Sequence, residues 1–547
     1  MRFPTIRCFA GAAGMMTLVL ASTAVAGAQG TSASAGSAAA RTPRVAVQDD
    51  GRAAQAPAPN PAAVPPGPRF NVQDPEYNTR GTAGHGGCVT DASVSSGSRV
   101  VNSDSLAHAA YPPQVGWIAW VLRTNSGSGA CHTGPGWKGV SSAVRIGATA
   151  TTITQVNSAT SITLSNSAEM NESDDVLFFG PDDYAPLSAA CTAATNVSGG
   201  TVYAPGGIYL AGTNAGGNPW CLAGATVKRS FALIGDGQDA TLFFTAPWYD
   251  HTFNFGSVFA LYGGPFDYAS GWTLDGGGFP SDYGPDTPFE PSGPGVDHVT
   301  VQNYDLKNGS AEVIYFAGKG GPAYHYYVND SMFIGSGANI TACAVSGPYT
   351  VEFDNTICSS PKAPLELTSN GGGATVTVMG GHYVMIGSNY RGGILLPQGG
   401  RPMESRITFI DSIICDEAGG NSAIVVNSAT FVLHLVETKV NDREACGGRV
   451  SGSTTALQVI AGTAILENST LAATGYGYAI NNNGTVVDEC GNVLSGGSGR
   501  NHPGVLQGSC GTGGILEQVG KGEQAVSQNA ATVETTPHTV TSDGSGK

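Results

Sequence analysis

The middle of the chain carries a repeated pattern of short segments in which apolar and polar residues alternate. Alternation with a period of two is typical of half-buried β-strands. The segments lie at 299–302, 326–328, 351–354, 376–379, 407–410, 433–436 and 464–467. Each leads directly into a residue that favours a turn, so the pattern predicts a series of strands that end in the same way.

The turn residues that follow these strands share one approximate spacing. They are 25 to 31 residues apart along the sequence. Asparagine tolerates the left-handed backbone region and bonds to its own backbone, and it occupies most of these positions. We therefore predict that the turn residues stack in a column with a structural role, formed by Asn303, Asn329, Asn355, Gly380, Asp411, Glu437 and Asn468.

A second set of apolar strands follows each turn after about ten to twenty residues. The set lies at 313–316, 365–368, 393–396, 423–427, 456–460 and 479–482. Two strands sharing one repeat length describe a coil that buries its inward residues by stacking on its neighbours. The sequence therefore predicts an all-β fold, a right-handed parallel β-helix. The alternative, a sandwich of antiparallel hairpins, requires turns every 8–12 residues and no common register.

Composition divides the chain into five predicted regions. Residues 1–28 have the positive start, apolar stretch and small residues of a signal peptide. Residues 29–75 are rich in Ala and Pro and predict a disordered linker. We expect a small β-rich region at 76–180, the β-helix at 181–500 and a flexible tail at 501–547.

Charge and cysteine content indicate an exported protein. Lys and Arg are scarce and the formal net charge is −16, so nucleic acid is not an expected partner. Beyond the signal, no stretch is long and apolar enough to insert in a membrane. We expect a secreted, periplasmic or cell-surface monomer. Ten cysteines lie beyond Cys8, and pairing sequence neighbours predicts the disulfides 88–131, 191–221, 343–358, 415–446 and 490–510.

Three motifs in fixed order resemble the start of the pectate-lyase-like superfamily of parallel β-helix proteins. They are Gly-Pro-Asp-Asp at 180–183, the Gly-rich segment at 199–209 and Leu-Ile-Gly-Asp-Gly at 233–237. The resemblance implies a short N-terminal helix at 187–194 that caps the solenoid. Asp182 and Asp183 stand where they would cap this helix. Gly235, Asp236 and Gly237 read as structural turn residues.

The same resemblance implies an activity on polysaccharides, with a cleft along one parallel sheet. If that sheet is the second strand set, its outward positions and preceding loops supply the candidates. We predict Asp416, Glu417, Arg391 and Glu366 as catalytic residues, and Lys362, Arg443, Tyr315 and Gln398 as substrate-binding residues. Asp416 and Asp442, level on adjacent coils, form a possible Ca²⁺ site. The competing interpretation of this loop is an incidental ion pair between Glu417 and Arg443.

The sequence leaves two classes of function open. The first is a polysaccharide lyase or glycoside hydrolase acting on extracellular glycans. The second is a non-catalytic glycan-binding or surface protein, because strands such as Gly393–Leu396 and Ala423–Val426 offer no charged group for the floor of a cleft. The aspartate pair of polygalacturonases and the arginine motif of lyases are both absent from the sequence. The residues alone do not choose between these classes.

Overall fold

The computed structural model describes most of the chain between residues 67 and 519. The described ranges are 67–124, 140–143, 151–197, 200–211, 221–223, 231–245, 259–261, 268–275, 289–291, 295–304, 311–316, 325–335, 340–367, 373–387, 394–396, 404–420, 422–450, 452–496, 505–508 and 517–519. The predicted signal peptide, most of the predicted linker and most of the predicted tail lie outside these ranges.

The first described strand is β1 (Arg69–Asn71). An antiparallel sheet follows, with the strands β2 (Gly87–Val94), β3 (Val100–Asn102), β4 (Ile118–Thr124), β5 (Val140–Ala143), β6 (Ile153–Ser158), β7 (Ser161–Leu164) and β8 (Glu172–Gly180). These seven strands lie in the order β5-β4-β8-β2-β3-β7-β6. A 3-10 helix spans Asp104–His108. One face of the sheet buries its own apolar cluster, which includes Trp117 and Phe179.

Strand β1 corrects one predicted boundary. It lies within the stretch predicted as a disordered linker, yet it pairs in parallel with the first strand of the solenoid, Arg69 opposite Thr201 and Asn71 opposite Tyr203. The guanidinium of Arg69 lies 3.2 Å from the centre of the Tyr203 ring. The linker prediction is therefore wrong for Arg69–Asn71, because backbone pairing with a neighbouring strand orders a segment whose own composition is poor in apolar groups.

A single helix and a long series of parallel strands follow. Helix α1 spans Tyr184–Thr195. The strands are β9 (Gly200–Ala204), β10 (Gly207–Ala211), β11 (Cys221–Ala223), β12 (Phe231–Gly235), β13 (Thr241–Thr245), β14 (Phe259–Leu261), β15 (Tyr268–Asp275), β16 (Phe289–Pro291), β17 (Gly295–Tyr304), β18 (Ala311–Phe316), β19 (His325–Asn329), β20 (Met332–Gly335), β21 (Ile340–Val345), β22 (Thr350–Asp354), β23 (Ile357–Ser360), β24 (Ala363–Leu367), β25 (Thr375–Met379), β26 (His382–Met385), β27 (Ile394–Leu396), β28 (Ser405–Ile410), β29 (Ile413–Asp416), β30 (Ser422–Val436), β31 (Lys439–Val440), β32 (Thr455–Glu467), β33 (Thr470–Ala473), β34 (Ile480–Asn482), β35 (Thr485–Asp488), β36 (Val493–Gly496), β37 (Val505–Gly508) and β38 (Glu517–Val519).

The pairing of these strands defines three parallel sheets that run the length of a β-helix. Sheet 1 stacks β9, β12, β15, β17, β19, β22, β25, β28, β30, β32, β35 and β37. Sheet 2 stacks β10, β13, β15, β17, β20, β23, β26, β29, β31, β33, β36 and β38. Sheet 3 stacks β11, β14, β16, β18, β21, β24, β27, β30, β32 and β34. The chain is therefore an all-β parallel β-helix, as the sequence predicts.

The alternating residues of each strand explain the core. On β22, Val351 and Phe353 point inward and are fully buried, and they pair with Val376 and Val378 of the next coil. The same rows continue through the solenoid as one apolar cluster that runs from Val72 to Leu494. Since a single coil cannot cover its own inward side chains, stacking of coils provides the burial that stabilises each of them.

The predicted column of turn residues exists between sheets 1 and 2, but two of its members are wrong. The residues with positive φ at this corner are His298, Asp330, Asn355, Gly380, Asp411, Glu437 and Asn468. Asn329 pairs with Asp354 and so lies one residue before the turn. Asn303 lies within β17, where its neighbours Gln302 and Tyr304 pair with β20 of sheet 2. The alternating segment at 299–302 is thus the strand after the turn, not the strand before it.

Helix α1 covers the first coils, as the capping prediction requires. Leu187, Ala190, Cys191 and Ala194 are buried and belong to the core cluster of the solenoid. The helix begins at Tyr184, three residues earlier than predicted. The amide N–H of Tyr184 donates to Asp182 Oδ1 at 3.1 Å, whereas the Asp183 side chain makes no capping bond. Asp182 therefore bonds at the start of the helix, and Asp183 has a different partner set.

Two of the predicted disulfides are present in the described residues. Cys343 pairs with Cys358 and Cys415 pairs with Cys446. Cys88, Cys191 and Cys490 are also disulfide-bonded. The side chains of their predicted partners, Cys131, Cys221 and Cys510, lie outside the described part of the chain.

Removing the interior disulfide should destabilise the protein more than removing the loop disulfide. Cys343 and Cys358 join sheets 3 and 2 across the core and are both 0% exposed. The closed loops of 15 and 31 residues contribute roughly 3 kcal/mol each, slightly more for the longer loop, so the expected difference comes from the cavity that Ala leaves at the fully buried pair. Urea unfolding of the Cys343→Ala/Cys358→Ala protein measures this loss. The matched control is the Cys415→Ala/Cys446→Ala protein, and an equal or larger loss in the control would contradict the prediction.

Candidate functional site

The outward face of sheet 3 carries a row of side chains from successive coils. Tyr315 pairs with Ala344, which pairs with Glu366. Farther along the same row, Gln458 pairs with Asn481. Stacked strands are about 4.8 Å apart, so this row runs along the sheet. Ala344 and Val425, which lie in the row between these residues, are buried. The polar and aromatic groups therefore stand at its two described ends.

Glu366 accepts hydrogen bonds from two side chains at this sheet. Its Oε2 accepts hydrogen bonds from Lys362 Nζ at 2.9 Å and from Thr341 Oγ1 at 2.9 Å. The Lys362 side chain is 6% exposed and that of Glu366 is 16% exposed. A lysine this deeply buried requires a charged partner. The pair therefore holds a partly exposed carboxylate at a fixed position.

Glu312 joins this cluster through the strand register, and sequence reasoning missed it. Glu312 pairs with Thr341, the residue whose hydroxyl donates to Glu366. The sequence did contain a signal for this part of the site. The repeat requires a second strand in the coil that follows Asn329, and that strand, β21, is missing from the predicted set. Val313 and Ile314 are both fully buried, so the alternation breaks and Glu312 and Tyr315 both face outward.

The polar cluster of sheet 3 is defined as Glu312, Tyr315, Thr341, Lys362 and Glu366. Three of these residues, Glu366, Lys362 and Tyr315, are among the predicted site residues. Two other predicted residues, Arg391 and Gln398, lie outside the described residues. Of the predicted functional residues that the structure describes, these three are the ones that share the face of sheet 3.

The predicted residues at the end of β29 form a separate loop. Asp416 is 0% exposed, and its Oδ1 accepts the N–H groups of Ala418 and Gly419 at 3.1 Å each. The N–H of Asp416 donates to Asn441 Oδ1 at 2.7 Å. Asp416 thus holds its own turn together. These bonds show a structural use of Oδ1, and the catalytic role of Asp416 stays a prediction.

Asp442 and Glu417 also bond within this loop region. Asp442 is level with Asp416, since Ile414 pairs with Val440 two residues earlier. Its Oδ1, however, accepts the N–H of Ala445 at 2.8 Å.

The ion pair recorded for Glu417 is with Arg449 Nη1, at 3.5 Å, and not with Arg443 as predicted. Arg443 is exposed in the turn after Asn441. The Cys415–Cys446 disulfide fixes the turn that brings Arg449 back towards Glu417.

Gly235, Asp236 and Gly237 of the Leu-Ile-Gly-Asp-Gly motif lie where β12 ends, and they were predicted to have a structural role. Asp236 accepts the Tyr203 hydroxyl at 2.6 Å and the Gly206 N–H at 2.8 Å. The hydrogen bond to Asp236 is the main reason that the pKa of Tyr203 is raised. A Cβ at Gly235 would stand 2.2 Å from the Gly271 carbonyl oxygen, and Gly237 has φ +142. Only glycine fits these two positions.

Sheet 1 carries histidine and tyrosine side chains on its outward face. His325 Nε2 lies 2.6 Å from Glu352 Oε1, and the rings of His325 and Tyr327 stack at 4.3 Å. Burial raises the pKa of Tyr268 to about 12, and its hydroxyl donates to Asp297 Oδ2 at 3.0 Å. These residues form paired contacts, without the buried cation that distinguishes the cluster of sheet 3.

Two groups of described residues bring potential metal ligands within 4.8 Å of one another. The first consists of Asp297, His298 and Asp330, and the second of His434, Glu467 and Glu489. Neither group includes Asp416 or Asp442. The predicted Ca²⁺ site on those two carboxylates therefore stays a prediction. Burial lowers the pKa of His434, so its imidazole is neutral near pH 7.

Comparisons with known proteins give low similarity throughout. No protein-family profile and no curated protein sequence matches the chain. The catalytic unit of a thermostable GH87 alpha-1,3-glucanase from Streptomyces thermodiastaticus is 10% identical with a TM-score of 0.30, covering 82% of this chain and 89% of that one. The mannuronan C-5 epimerase A-module of Azotobacter vinelandii is 15% identical with a TM-score of 0.27, covering 63% and 96%. ORF18 of Geobacillus virus E2 is 13% identical with a TM-score of 0.28, covering 62% and 59%.

These values carry no argument about activity. The assignment of a parallel β-helix rests instead on the register of the strands in this chain. A search of the described residues for a helix able to cross a bilayer found none that is long and apolar enough.

Proposed function

We propose that this protein binds a polysaccharide along the outward face of sheet 3 and hydrolyses it at the polar cluster defined above. The observation that carries the proposal is the buried Lys362–Glu366 pair, which Thr341 supports and which lies on the same sheet as Tyr315, Gln458 and Asn481. A buried ion pair is weak evidence for a gain in stability, and this favours a functional use of these charges.

The assignment of roles follows from the contacts. Lys362 and Thr341 both donate to Glu366 and fix the position of its carboxylate. Glu366 is therefore suited to act as the base that activates water. Glu312, whose backbone pairs with that of Thr341, is the proposed general acid that protonates the glycosidic oxygen.

The two proposed carboxylates approach each other through Thr341. Glu312 pairs with Thr341, and the Thr341 hydroxyl donates to Glu366. Inverting and retaining glycosidases differ in the separation of their two carboxyls, so the anomer released distinguishes these two mechanisms. Lys362 is tied to Glu366 and is poorly placed as the base of a β-elimination, which makes a lyase the weaker alternative.

The amide end of the row favours a neutral glycan. Gln458 accepts the Ser422 hydroxyl at 3.1 Å, and Asn481 is level with Gln458 on the next coil. Amides and hydroxyls donate to and accept from sugar hydroxyls without attracting charge. The second candidate, a non-catalytic glycan-binding protein, would use this same row. The disulfides Cys343–Cys358 and Cys415–Cys446 are consistent with the export that we propose, since disulfides persist in oxidising compartments.

Replacing Glu366 with Gln should reduce polysaccharide hydrolysis by at least about 100-fold, because a charged base becomes a neutral amide of the same size. The secreted protein is first screened against neutral and acidic glycans for new reducing ends, and NMR of the product gives the anomer released. Glu312→Gln should have an effect of similar size. Glu352→Gln on sheet 1 is the matched control and should retain activity.

Three results would overturn parts of this proposal. Unsaturated products would identify a lyase. Glycan binding without turnover on the whole panel would leave the non-catalytic candidate. Full activity in both the Glu366→Gln and Glu312→Gln proteins would remove the cluster of sheet 3 from the reaction.

A further inference from the structure

Three side chains from successive coils converge on the outward face of sheet 1 near the end of the solenoid. They are His434 on β30, Glu467 at the end of β32 and Glu489 directly after β35. The register explains the convergence, since Val436 pairs with Glu467 and the N–H of Glu489 bonds to the Leu466 carbonyl. One ligand atom from each residue lies within 4.8 Å of the other two.

One ring nitrogen of the histidine in this group is buried without a hydrogen bond to the described part of the chain. The Nε2 atom of His434 is buried and has no hydrogen-bond partner among the described residues. The Glu467 Oε2 atom is the nearest recorded acceptor, and at 3.8 Å it lies beyond hydrogen-bonding distance. A buried nitrogen without a partner is unfavourable. This nitrogen lies within 4.8 Å of an oxygen atom of each of the two carboxylates, which is the arrangement that a shared ligand would satisfy.

We propose that His434, Glu467 and Glu489 bind a divalent transition-metal ion, best matched by Zn²⁺, that joins three successive coils. Two ligand atoms that are each roughly 2.1 Å from a tetrahedral ion are about 3.4 Å apart. The observed 3.8 Å between Nε2 and Oε2 therefore needs only a small side-chain shift. One imidazole with carboxylates selects Zn²⁺ and its neighbours in the series over Ca²⁺ and Mg²⁺, which take oxygen ligands.

The surrounding charges leave this site acidic. Arg406 lies on the preceding coil of sheet 1, and its positive charge acts on His434. It is the one cation recorded to act there within the described residues, against two carboxylates. Arg406 Nη2 also lies 3.5 Å from Glu404 Oε1, which draws it away. The sum of these charges still attracts a divalent cation.

The other ligand group is a weaker candidate for the same ion. His298 Nδ1 already lies 2.7 Å from Asp297 Oδ1, and the His298 side chain is 56% exposed. Its imidazole is therefore satisfied by a hydrogen bond and by water. This contrast makes His298 the matched control for His434, because both histidines lie on sheet 1 or its corner beside carboxylates.

The test is metal binding by the full secreted chain after treatment with EDTA and dialysis. Isothermal titration with Zn²⁺ and the visible spectrum of the Co²⁺-loaded protein report affinity and coordination. We expect one tight ion per chain, a four-coordinate Co²⁺ spectrum and a higher melting temperature with Zn²⁺. His434→Gln should weaken Zn²⁺ binding by at least about 100-fold, since loss of even a supporting residue costs 10–100-fold. His298→Gln should bind Zn²⁺ as the unaltered protein does.

Other outcomes contradict the proposal. If the unaltered chain takes up neither Zn²⁺ nor Co²⁺, there is no such site. If His298→Gln loses the ion and His434→Gln retains it, the ion belongs to the other group. Melting curves of both variants without metal distinguish lost ligation from lost folding. Glu467→Gln with Glu489→Gln gives a second test that leaves the imidazole in place.

Discussion

Replacing Phe353 with Ala should lower the free energy of unfolding by about 3–5 kcal/mol, the cost of deleting a buried aromatic ring and leaving a cavity. Phe353 is 0% exposed and lies between Val328 and Val378 of the neighbouring coils. Its ring also meets the Phe316 ring edge-on, with centroids 5.8 Å apart. Urea unfolding followed by far-ultraviolet circular dichroism measures the loss.

The control for Phe353 lies on the adjacent coil of the same sheet. Thr375 begins β25 and is exposed, so Thr375→Ala should change stability by less than about 1 kcal/mol.

A double-mutant cycle between Phe353→Ala and Val378→Ala tests stacking directly. Residues in contact couple by about 0.5–3 kcal/mol. Additive losses would show that the two coils do not share this part of the core.

The alternation of apolar and polar residues predicts the strands because burial follows it closely. On β22 and β25, every second side chain is buried, and the repeat of coils follows from the spacing between them. The alternation does not say whether a strand comes before or after the turn. The segment at 299–302 has the same pattern as its neighbours, so its place in sheet 2 depended on pairing with β20. That pairing is a long-range contact that no local pattern contains.

The candidate site was predictable only in part, for two physical reasons. Glu366 and Tyr315 stand at alternating outward positions, so periodicity places them on sheet 3. Glu312 breaks the alternation, because the consecutive buried residues Val313 and Ile314 shift the face on which it lies. Asp416 has the spacing of a catalytic carboxylate, but a short Asp after a strand bonds readily to the next amides. Sequence spacing does not distinguish these two uses of a carboxylate.

Several acidic side chains lie along one corner of the solenoid. Asp330, Asp411 and Glu437 lie in the column at the corner between sheets 1 and 2, all with positive φ. Burial first, and then the charge of Asp330, raises the pKa of Asp354 beside this column. Asp411 and Glu437 stand on adjacent coils, where carboxylates repel each other. The net charge of −16 is thus in part concentrated along one edge of the solenoid, and a cation bound by Glu467 and Glu489 would relieve it there.

Removing the Asp183 carboxylate should be the most damaging polar substitution at the start of the solenoid. Asp183 is 0% exposed. Its Oδ2 accepts the Leu210 N–H at 2.9 Å and its Oδ1 accepts the Gly84 N–H at 3.3 Å. Asp183→Ala leaves two N–H groups without this acceptor, at about 1–3 kcal/mol each. We expect a loss of about 2–6 kcal/mol in the free energy of unfolding, measured by urea denaturation.

The same residue should give the protein a distinct pH dependence. Burial, the dominant cause, raises the pKa of Asp183 well above its usual value despite its two backbone hydrogen bonds. The folded state therefore retains a proton that the unfolded chain releases above about pH 3.9. The stability from this group is complete below that pH and declines as pH rises towards the folded pKa. Asp183→Asn cannot ionise, so its stability relative to the unaltered protein should improve steadily from pH 4 upwards.

Asp236 provides the matched control for Asp183. It accepts two hydrogen bonds at a neighbouring coil, from Tyr203 and Gly206, but it faces solvent. The Asp236→Asn protein therefore measures the effect of replacing an exposed hydrogen-bonded carboxylate with an amide, without the contribution of burial. If the difference between Asp183→Asn and the unaltered protein stays constant from pH 4 to pH 8, then burial does not disfavour the Asp183 charge. In that case the hydrogen bonds from Gly84 and Leu210 compensate fully for the lost hydration, and the residue acts only as an acceptor that joins the N-terminal segment to the first coil.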